Sequence, residues 1–534
     1  VSEILRISDF SQGLNTDLPR CELPPGAFTY GNNFRHFSGA IYSHGGSQLI
    51  KSLPADVYPK FIYPVDAEAD YWVLITDDEV YTFFGNEFYD VTGPVIANGG
   101  YGWTGTSVGR IPVFANSNNY PFCWLNPSPA TPVVDLVYDA LAGSTWRDVQ
   151  ILAKSIRSFG PFLIALNVTD AGENYGDLIQ WSHPADVGSI PDSWDYFRDD
   201  RLANRVNLGG NGGDIIDGGT LRDSFVVYRE NGISLLSATQ DEYVFGIRHM
   251  SEMVSVANVR CIAEVKGTQF IMTVDDIITN DGNSLTSIIH SRIRKDFAAR
   301  FLQDNQESAF VLKNEISKEL WFCIPSGGSV YVNVAYIFNW RDGTWAIREL
   351  PDLAHGAFGS VSPTQRTWDT WLTPAGGNIQ WNSSVGIWDQ GRTTPFDKSL
   401  VGISATKQPN ELVNLFLVEV DEPFTTVIER TDIPLAGHDT VTSIQRIYPH
   451  IDGPGTDIET QEYDPPAVMI SLGSQDYANG PVRWKPAVPF YPRKDRKLDI
   501  RTTGELHAFR IESTSTDTWR LSGMDIEYVV AGKR

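Results

Sequence analysis

Chemistry in a protein begins with a few side chains held at a workable spacing, and the candidates in this 534-residue chain are sparse. Nucleophilic catalysis needs a serine or cysteine activated by a histidine, and the G-x-S-x-G strand-to-helix turn that presents one is missing. The nine histidines include no H-E-x-x-H pair. His36 and His44 are the nearest cluster, in a Gly/Ser-rich segment that suits turn or surface histidines better than a metal site. The run Gly209 to Gly213 has the look of a phosphate cradle, but Asp214, Ile215 and Ile216 follow where a Lys and a Ser or Thr should. A carboxylate there has the wrong sign, so a turn leading into a strand is expected. The loop from Asp452 to Glu459 offers carboxylates without the ligand spacing of a calcium loop.

Sugar chemistry is the serious enzymatic rival, because aromatic platforms and paired carboxylates are its tools. Asn339 to Trp345 (NWRDGTW) resembles the aspartate-box turn of sialidases, yet it lacks the leading Ser, sets Asp directly before Gly, and does not recur. Trp72, Trp103, Trp124, Trp181, Trp194, Trp345 and Trp519 could be ligand platforms, but most lie inside apolar runs and read as packing residues. Carboxylates are so numerous that a pair at catalytic separation arises by chance, and no local feature singles out an acid and a base. The expectation is therefore a non-enzymatic chain, with no catalytic, cofactor-binding or metal-ligating residue assigned.

The elements that would position any such groups are mostly strands. Short runs of Val, Ile, Phe, Tyr and Trp alternate with Gly, Asn and Asp turns, the pattern of antiparallel hairpins. Asp70 to Thr92 predicts a three-stranded meander with turns at Asp77-Asp78 and Gly85-Asn86. Similar units are expected over Phe225 to Leu236, Phe270 to Ile289 and Leu320 to Ile347. Helical spacing appears over Ser291 to Gln306, and more weakly over Ser144 to Ser158. Each meander has an apolar face that few helices are available to cover. Repeated meanders cover one another as a sandwich or as propeller blades, and their number favours the propeller.

Thr393 to Pro409, poor in aromatics, reads as a connection. Beyond it Leu412 to Val420, Thr440 to Ile451, Ala467 to Leu472 and Ala508 to Glu512 alternate as strands of a second, sandwich-type β domain, with acidic loops such as Asp452 to Pro466. The predicted fold is all-β: an N-terminal arm (1–55), a β-propeller-like domain (56–395) and a C-terminal β domain (396–534), with few short helices.

Composition narrows the function further. With 42% hydrophobic, 20% charged and 12% aromatic residues, 15 of them Trp, the chain is an ordinary strand-rich folded protein. Its 42 Lys and Arg face 66 Asp and Glu, a net charge of −24, which repels phosphate and disfavours specific nucleic-acid binding. An acidic wall does let a polyanion slide past. Cys21, Cys123, Cys261 and Cys323 are far apart, with no C-x-x-C pair, and read as buried reduced thiols. No signal peptide is visible from Val1 to Phe10, and no run approaches the roughly 18 apolar residues of a membrane span.

Three stretches together bring a family into view. The first runs from Phe10 to Pro19 (FSQGLNTDLP) through Glu22 to Ala27 (ELPPGA), Gly31 to Arg35 (GNNFR) and Gly39 to Ile41, to Gly45 and Gly46. The second is Gly160 to Asn167 (GPFLIALN) with Ile179 to Asp186 (IQWSHPAD) and Ser193 to Asp195 (SWD). The third is Gly504 to Glu512 (GELHAFRIE) with Trp519 to Ile526 (WRLSGMDI). In order and spacing they resemble the tail nozzle and stabilisation (tail tubular) proteins of short-tailed, podovirus-type bacteriophages; Asp352 to Pro395 matches less recognisably.

The resemblance implies a β-propeller subunit that forms a homohexameric tube below the portal and its adaptor ring, holds packaged DNA in the capsid and conducts it at ejection. It implies a place in the virion tail after assembly in the host bacterial cytoplasm, with tail fibres or spikes as further partners. An unsignalled chain of reduced cysteines agrees with that setting, and an acidic channel wall suits passage of genomic DNA without specific binding. The Pro- and Gly-rich segment Ser2 to Gly46 reads as a strap along its own subunit, a neighbour or the adaptor, so that deleting Val1 to Pro19 is expected to impair attachment and spare folding. The alternatives are a carbohydrate-binding tail adhesin and a glycan-degrading propeller enzyme.

Overall fold

The computed structural model of the chain describes residues 2–52, 59–66, 70–84, 87–95, 102–239, 244–250, 254–301, 303–360, 398–404, 414–420, 424–437, 439–453, 468–492, 494–514 and 519–533. Alternating apolar residues and short turns produce hairpin after hairpin. In the first meander the Thr76 hydroxyl accepts from the backbone N–H groups of Asp78 (3.3 Å) and Glu79 (2.9 Å), which reverses the chain where two acidic residues disfavour a strand. Around Asn280-Asp281-Gly282 the Asn280 side chain accepts from Gly282 N (2.8 Å), with glycine supplying φ +91°.

Among the described residues these hairpins build seven antiparallel blades. Blade 1 is Phe61–Asp66, Asp70–Ile75, Val80–Phe84 and Glu87–Asp90; blade 2 is Thr104–Val108, Ile111–Asn116, Asn119–Cys123 and Val134–Asp135. Blade 3 is Ile151–Phe159, Phe162–Asp170, Glu173–Trp181 and Asn204–Asn207; blade 4 is Ile215–Leu221, Ser224–Arg229, Gly232–Ala238 and Phe245–Met250. Blade 5 is Ile262–Val265, Thr268–Met272, Ile277–Asn280 and Leu285–Ser287. Blades 6 and 7 share one seven-stranded sheet and the long strand Thr344–Ser360. Up to Glu349 that strand pairs with Val332–Asn339, closing blade 6 behind Phe310–Asn314 and Glu319–Ile324. From His355 onward it opens blade 7, followed by Lys398–Ser404, Asn414–Val420 and, outermost, Gly46–Ser52.

First strands of successive blades pack against one another from blade 2 round to blade 7, and blade 7 packs on blade 1. Tyr63 of blade 1 meets Phe114 of blade 2 edge to face at 5.5 Å, which closes the circle. The apolar clusters lie between blades. Val73 and Ile75 of blade 1 pack with Phe114 and Phe122 of blade 2, and Trp181 of blade 3 with Phe225 and Phe245 of blade 4. Ile62, Trp72 and Leu74 of blade 1 meet Val401 and Ile403 of blade 7. Burial of each blade's apolar face by its neighbour is the driving force for the circular arrangement.

The second module is a sandwich of two sheets. One has the order Phe34–Phe37, Ala40–Ser43, Arg520–Lys533, Thr440–Asp452 and Thr502–Gly504, with Ser2–Ile7 also on Arg520–Lys533. The other has the order Tyr30–Asn32, Thr426–Ile433, Leu506–Ser513, Val468–Gln475 and Arg483–Trp484, with Val488–Phe490 also on Val468–Gln475. Phe10, Leu14, Phe28, Phe34 and Ile41 share its core with Ile428, Ile447, Ile470, Phe509 and Ile526.

Four expectations are corrected. Ser144 to Ser158 is not a helix: Gln150 takes φ +57°, and Ile151–Phe159 runs on as the first strand of blade 3, with Ile151, Ala153 and Ser155 inward. Its apolar residues fit both periods, and the left-handed turn decides. The helix expected over Ser291 to Gln306 is shorter, Arg294–Arg300, and passes through an extended Phe301 to the 3-10 segment Gln303–Ser308. The segment read as a strap supplies four strands and much of the core of the sandwich. Finally, Lys398–Ser404 and Asn414–Val420, placed by sequence within or beyond the connection, belong to blade 7, and the sandwich resumes at Thr426. The Gly85-Asn86 turn, the rest of the connection and residues 361–395 and 454–466 lie outside the described residues.

Candidate functional site

Strands of all seven blades, together with Arg260 just ahead of blade 5, converge on a cavity of about 470 Å³, the natural place for a propeller to hold a ligand. Arg157 reaches it from blade 3 and Asp217 from blade 4. Their contact is bidentate, Nε to Oδ1 at 2.9 Å and Nη2 to Oδ2 at 2.6 Å, and Arg157 also donates to the carbonyl of Val259. Burial pushes the Asp217 carboxyl up, against the pull of the Arg157 guanidinium.

His355 of blade 7 lies between the tilted rings of Phe61 (4.5 Å) and Phe310 (4.8 Å), and its Nδ1 accepts from Ile62 N at 3.4 Å. Burial, with Arg260 nearby, holds it well below the usual histidine range and keeps it uncharged. Arg260 donates to the carbonyl of Glu307 at 2.6 Å. Gln269 of blade 5 donates to the carbonyls of Gly219 (2.9 Å) and Thr220 (3.1 Å) and accepts from Tyr228 Oη (2.5 Å), which in turn accepts from Asn280 Nδ2 (2.8 Å). Arg157, Asp217, Gln269, Tyr228 and Asn280 thus link blades 3, 4 and 5. Their arrangement staples the axis.

The sites weighed from sequence are placed as follows. His36 is buried, set edge to face on Phe34 at 5.3 Å, and burial lowers it to about 3. Among the described residues no group of three or more His, Cys, Asp or Glu is placed to hold a metal ion. In the glycine run, the carbonyls of Gly209 (2.8 Å) and Gly213 (3.0 Å) accept from Arg229, an arrangement for a cation and not for phosphate. Asn339 of the aspartate-box-like turn accepts from the N–H groups of Arg341 (3.0 Å) and Asp342 (3.1 Å) and donates to the carbonyl of His36 (3.0 Å). Asp342 accepts from Ser38 N at 2.7 Å, so this turn is fastened to the N-terminal segment. All seven tryptophans are buried. The four cysteines are unpaired, and burial pushes Cys123 and Cys261 up to about 12.

A group that sequence reading missed joins the two modules. Arg35 of the sandwich makes a bidentate contact with Glu319 of blade 6, Nε to Oε1 at 3.1 Å and Nη2 to Oε2 at 2.9 Å, and Trp321 Nε1 donates to the same carboxylate at 3.1 Å. Alongside it Asn33 N donates to the Ile347 carbonyl (2.7 Å) and Leu14 N to that of Trp345 (3.3 Å). Glu319, a charge leading the apolar run Glu319–Ile324, is the one sequence signal for this seam.

Comparison with known proteins gives no matching family model and no match among curated proteins. Among solved structures, the BBS1N chain from a complex with ARL6DN aligns over 70% of this chain and 98% of its own, at 9% identity and a TM-score of 0.38. PorZ of the Porphyromonas gingivalis type-IX secretion system aligns over 75% and 44%, at 8% identity and a TM-score of 0.34. Hsv2 of Kluyveromyces lactis aligns over 52% and 57%, at 9% identity and a TM-score of 0.23. Likenesses this loose are silent on function, and the propeller-like architecture rests on the strand pairing itself. Among the described residues no helix is long and apolar enough to cross a membrane.

Proposed function

We propose that the chain is a non-enzymatic structural subunit of a phage tail nozzle, one of six copies in a ring below the portal and adaptor that retains packaged DNA and conducts it at ejection. The observation that carries this reading is the axial cavity. Where a propeller would hold a ligand, Arg157 and Asp217 of this one are paired with each other, and the fold serves as a rigid block. The Arg35–Glu319 contact and the N-terminal strands bind the propeller to the sandwich, as a load-bearing wall element requires. The net charge of −24 suits a channel wall that DNA passes without tight binding. In the assembled ring, acidic residues are expected to be denser on the channel face than outside.

Negative-stain imaging of the purified chain, alone and with the phage adaptor, tests this. A sixfold ring with a central hole is the expected result. A monomer or trimer that binds or cleaves host polysaccharide would replace the conduit with the adhesin or the glycan-degrading enzyme.

A further inference from the structure

The charge of this chain is unevenly distributed. Residues 483–501 hold seven Lys and Arg and two Asp, a local charge of +5 in a chain of −24, so that the other residues together carry −29. The segment begins as the outer strand Arg483–Trp484 on Gly473 and Ser474, continues as Val488–Phe490 on Val468 to Ile470, and then crosses to the opposite sheet. There Leu498 N donates to the Ile447 carbonyl (2.9 Å) and Ile447 N to that of Leu498 (3.0 Å). Phe490, Leu498 and Ile500 are buried along the way, while Lys485, Lys494, Arg496, Lys497 and Arg501 are exposed. Buried anchors thus hold a ladder of cations around one edge of the sandwich. Lysines on an edge strand discourage sheet-to-sheet pairing. Most of these cations lie beyond the strands, where that purpose is already served.

We infer that this basic rim is a contact between copies of the chain, receiving the acidic surface of the next subunit. The inference rests on the ring reading above and names the surface that closes the ring. Charge complementarity selects the occupant, since outside the rim the chain carries 64 Asp and Glu against 35 Lys and Arg. Two distinct patches that fit each other make a head-to-tail contact, the kind that closes into rings. The repulsion between two acidic molecules is screened beyond about 8 Å at physiological salt, so the local pairing decides. Nucleic acid fits less well, because carboxylates are interleaved with the cations. Asp476 sits 2.7 Å from Arg483, and Asp499 lies 3.2 Å from Lys497, so both would face phosphates.

Lys485, Arg496 and Arg501 are exposed and make no ion pair with described residues, so reversing them should leave the fold intact. The test is sedimentation velocity of the full chain at about 0.15 M salt, comparing wild type with Lys485→Glu/Arg496→Glu/Arg501→Glu and with the charge-preserving Lys485→Arg/Arg496→Lys/Arg501→Lys. At an unchanged melting temperature the reversed variant should need at least about tenfold more protein to assemble, while the charge-preserving one assembles as wild type. A reversed variant that forms rings as readily as wild type overturns the contact and leaves the ring reading standing. Wild type that is monomeric under every condition overturns both. Wild type that retains a short DNA duplex which the reversed variant releases, with assembly unaffected, assigns the rim to nucleic acid and overturns the contact.

Discussion

Three histidines are buried in forms that resist protonation: His36, lowered to about 3, His507, lowered to about 4 and 2.8 Å from Thr442 Oγ1 across the sandwich, and His355 at the propeller axis. Unfolded, each takes up a proton near the ordinary histidine value; folded, each refuses it until far lower. Their contribution is therefore complete above that ordinary value and declines as pH falls toward the folded values, at about 1.4 kcal/mol per pH unit for each. Urea unfolding between about pH 7 and pH 5 should show stability falling with acidification, and His36→Phe should flatten the slope; a level profile for wild type would refute the assignment. At the module seam, Arg35→Met strands the buried Glu319 carboxylate and should cost about 3–5 kcal/mol. Arg35→Met/Glu319→Leu should recover part of that loss, and additive losses in the double-mutant cycle would show the two groups to be uncoupled. Neither effect was legible in the sequence. Arg157 and Asp217 stand sixty positions apart and Arg35 and Glu319 still further, so nothing local pairs them.

Strands were far more legible than their pairing. Alternation and turn chemistry are local properties, and the meanders beginning at Asp70, Phe225, Phe270 and Leu320 appear where that chemistry puts them. Blade number was hidden because Thr344–Ser360 serves two blades and the outer strand of blade 7, Gly46–Ser52, comes from the far side of the sequence. The blade seams depend on close backbone approach. A Cβ at Gly359 would lie 2.6 Å from the Trp72 ring and 2.7 Å from Pro64, where blade 7 meets blade 1. Gly359→Val should therefore cost about 1–3 kcal/mol through overpacking, read from chemical denaturation; an unaltered midpoint would mean that this seam is loosely packed.

For the whole molecule, the N-terminal segment changes what truncation should do. With Phe10 and Leu14 fully buried and Ser2–Ile7 paired to Arg520–Lys533, removal of Val1 to Pro19 is expected to unfold the sandwich, in place of the folded but unattached protein that the sequence suggested. Phe10→Ala alone should cost about 3–5 kcal/mol, and circular dichroism of the truncated chain separates the outcomes. A truncated protein with native melting would restore the strap. The segment misled because its Pro, Gly and Asn residues, which serve tight turns between very short strands, outnumber the six apolar residues that enter the core.

The interleaving of the two modules also imposes an order on biosynthesis. The strand Ser2–Ile7 of the sandwich is made far ahead of its partner, the stretch around Met524. At roughly 5–20 residues per second, translation leaves that strand unmated for about half a minute to two minutes. The same holds for Gly46–Ser52, which waits for Asn414–Val420 before the circle of blades can lock. A nascent chain halted before residue 414 should thus be an open, protease-sensitive arc and a client for chaperones, and commitment to the final shape should come only once the stretch around Met524 has been made.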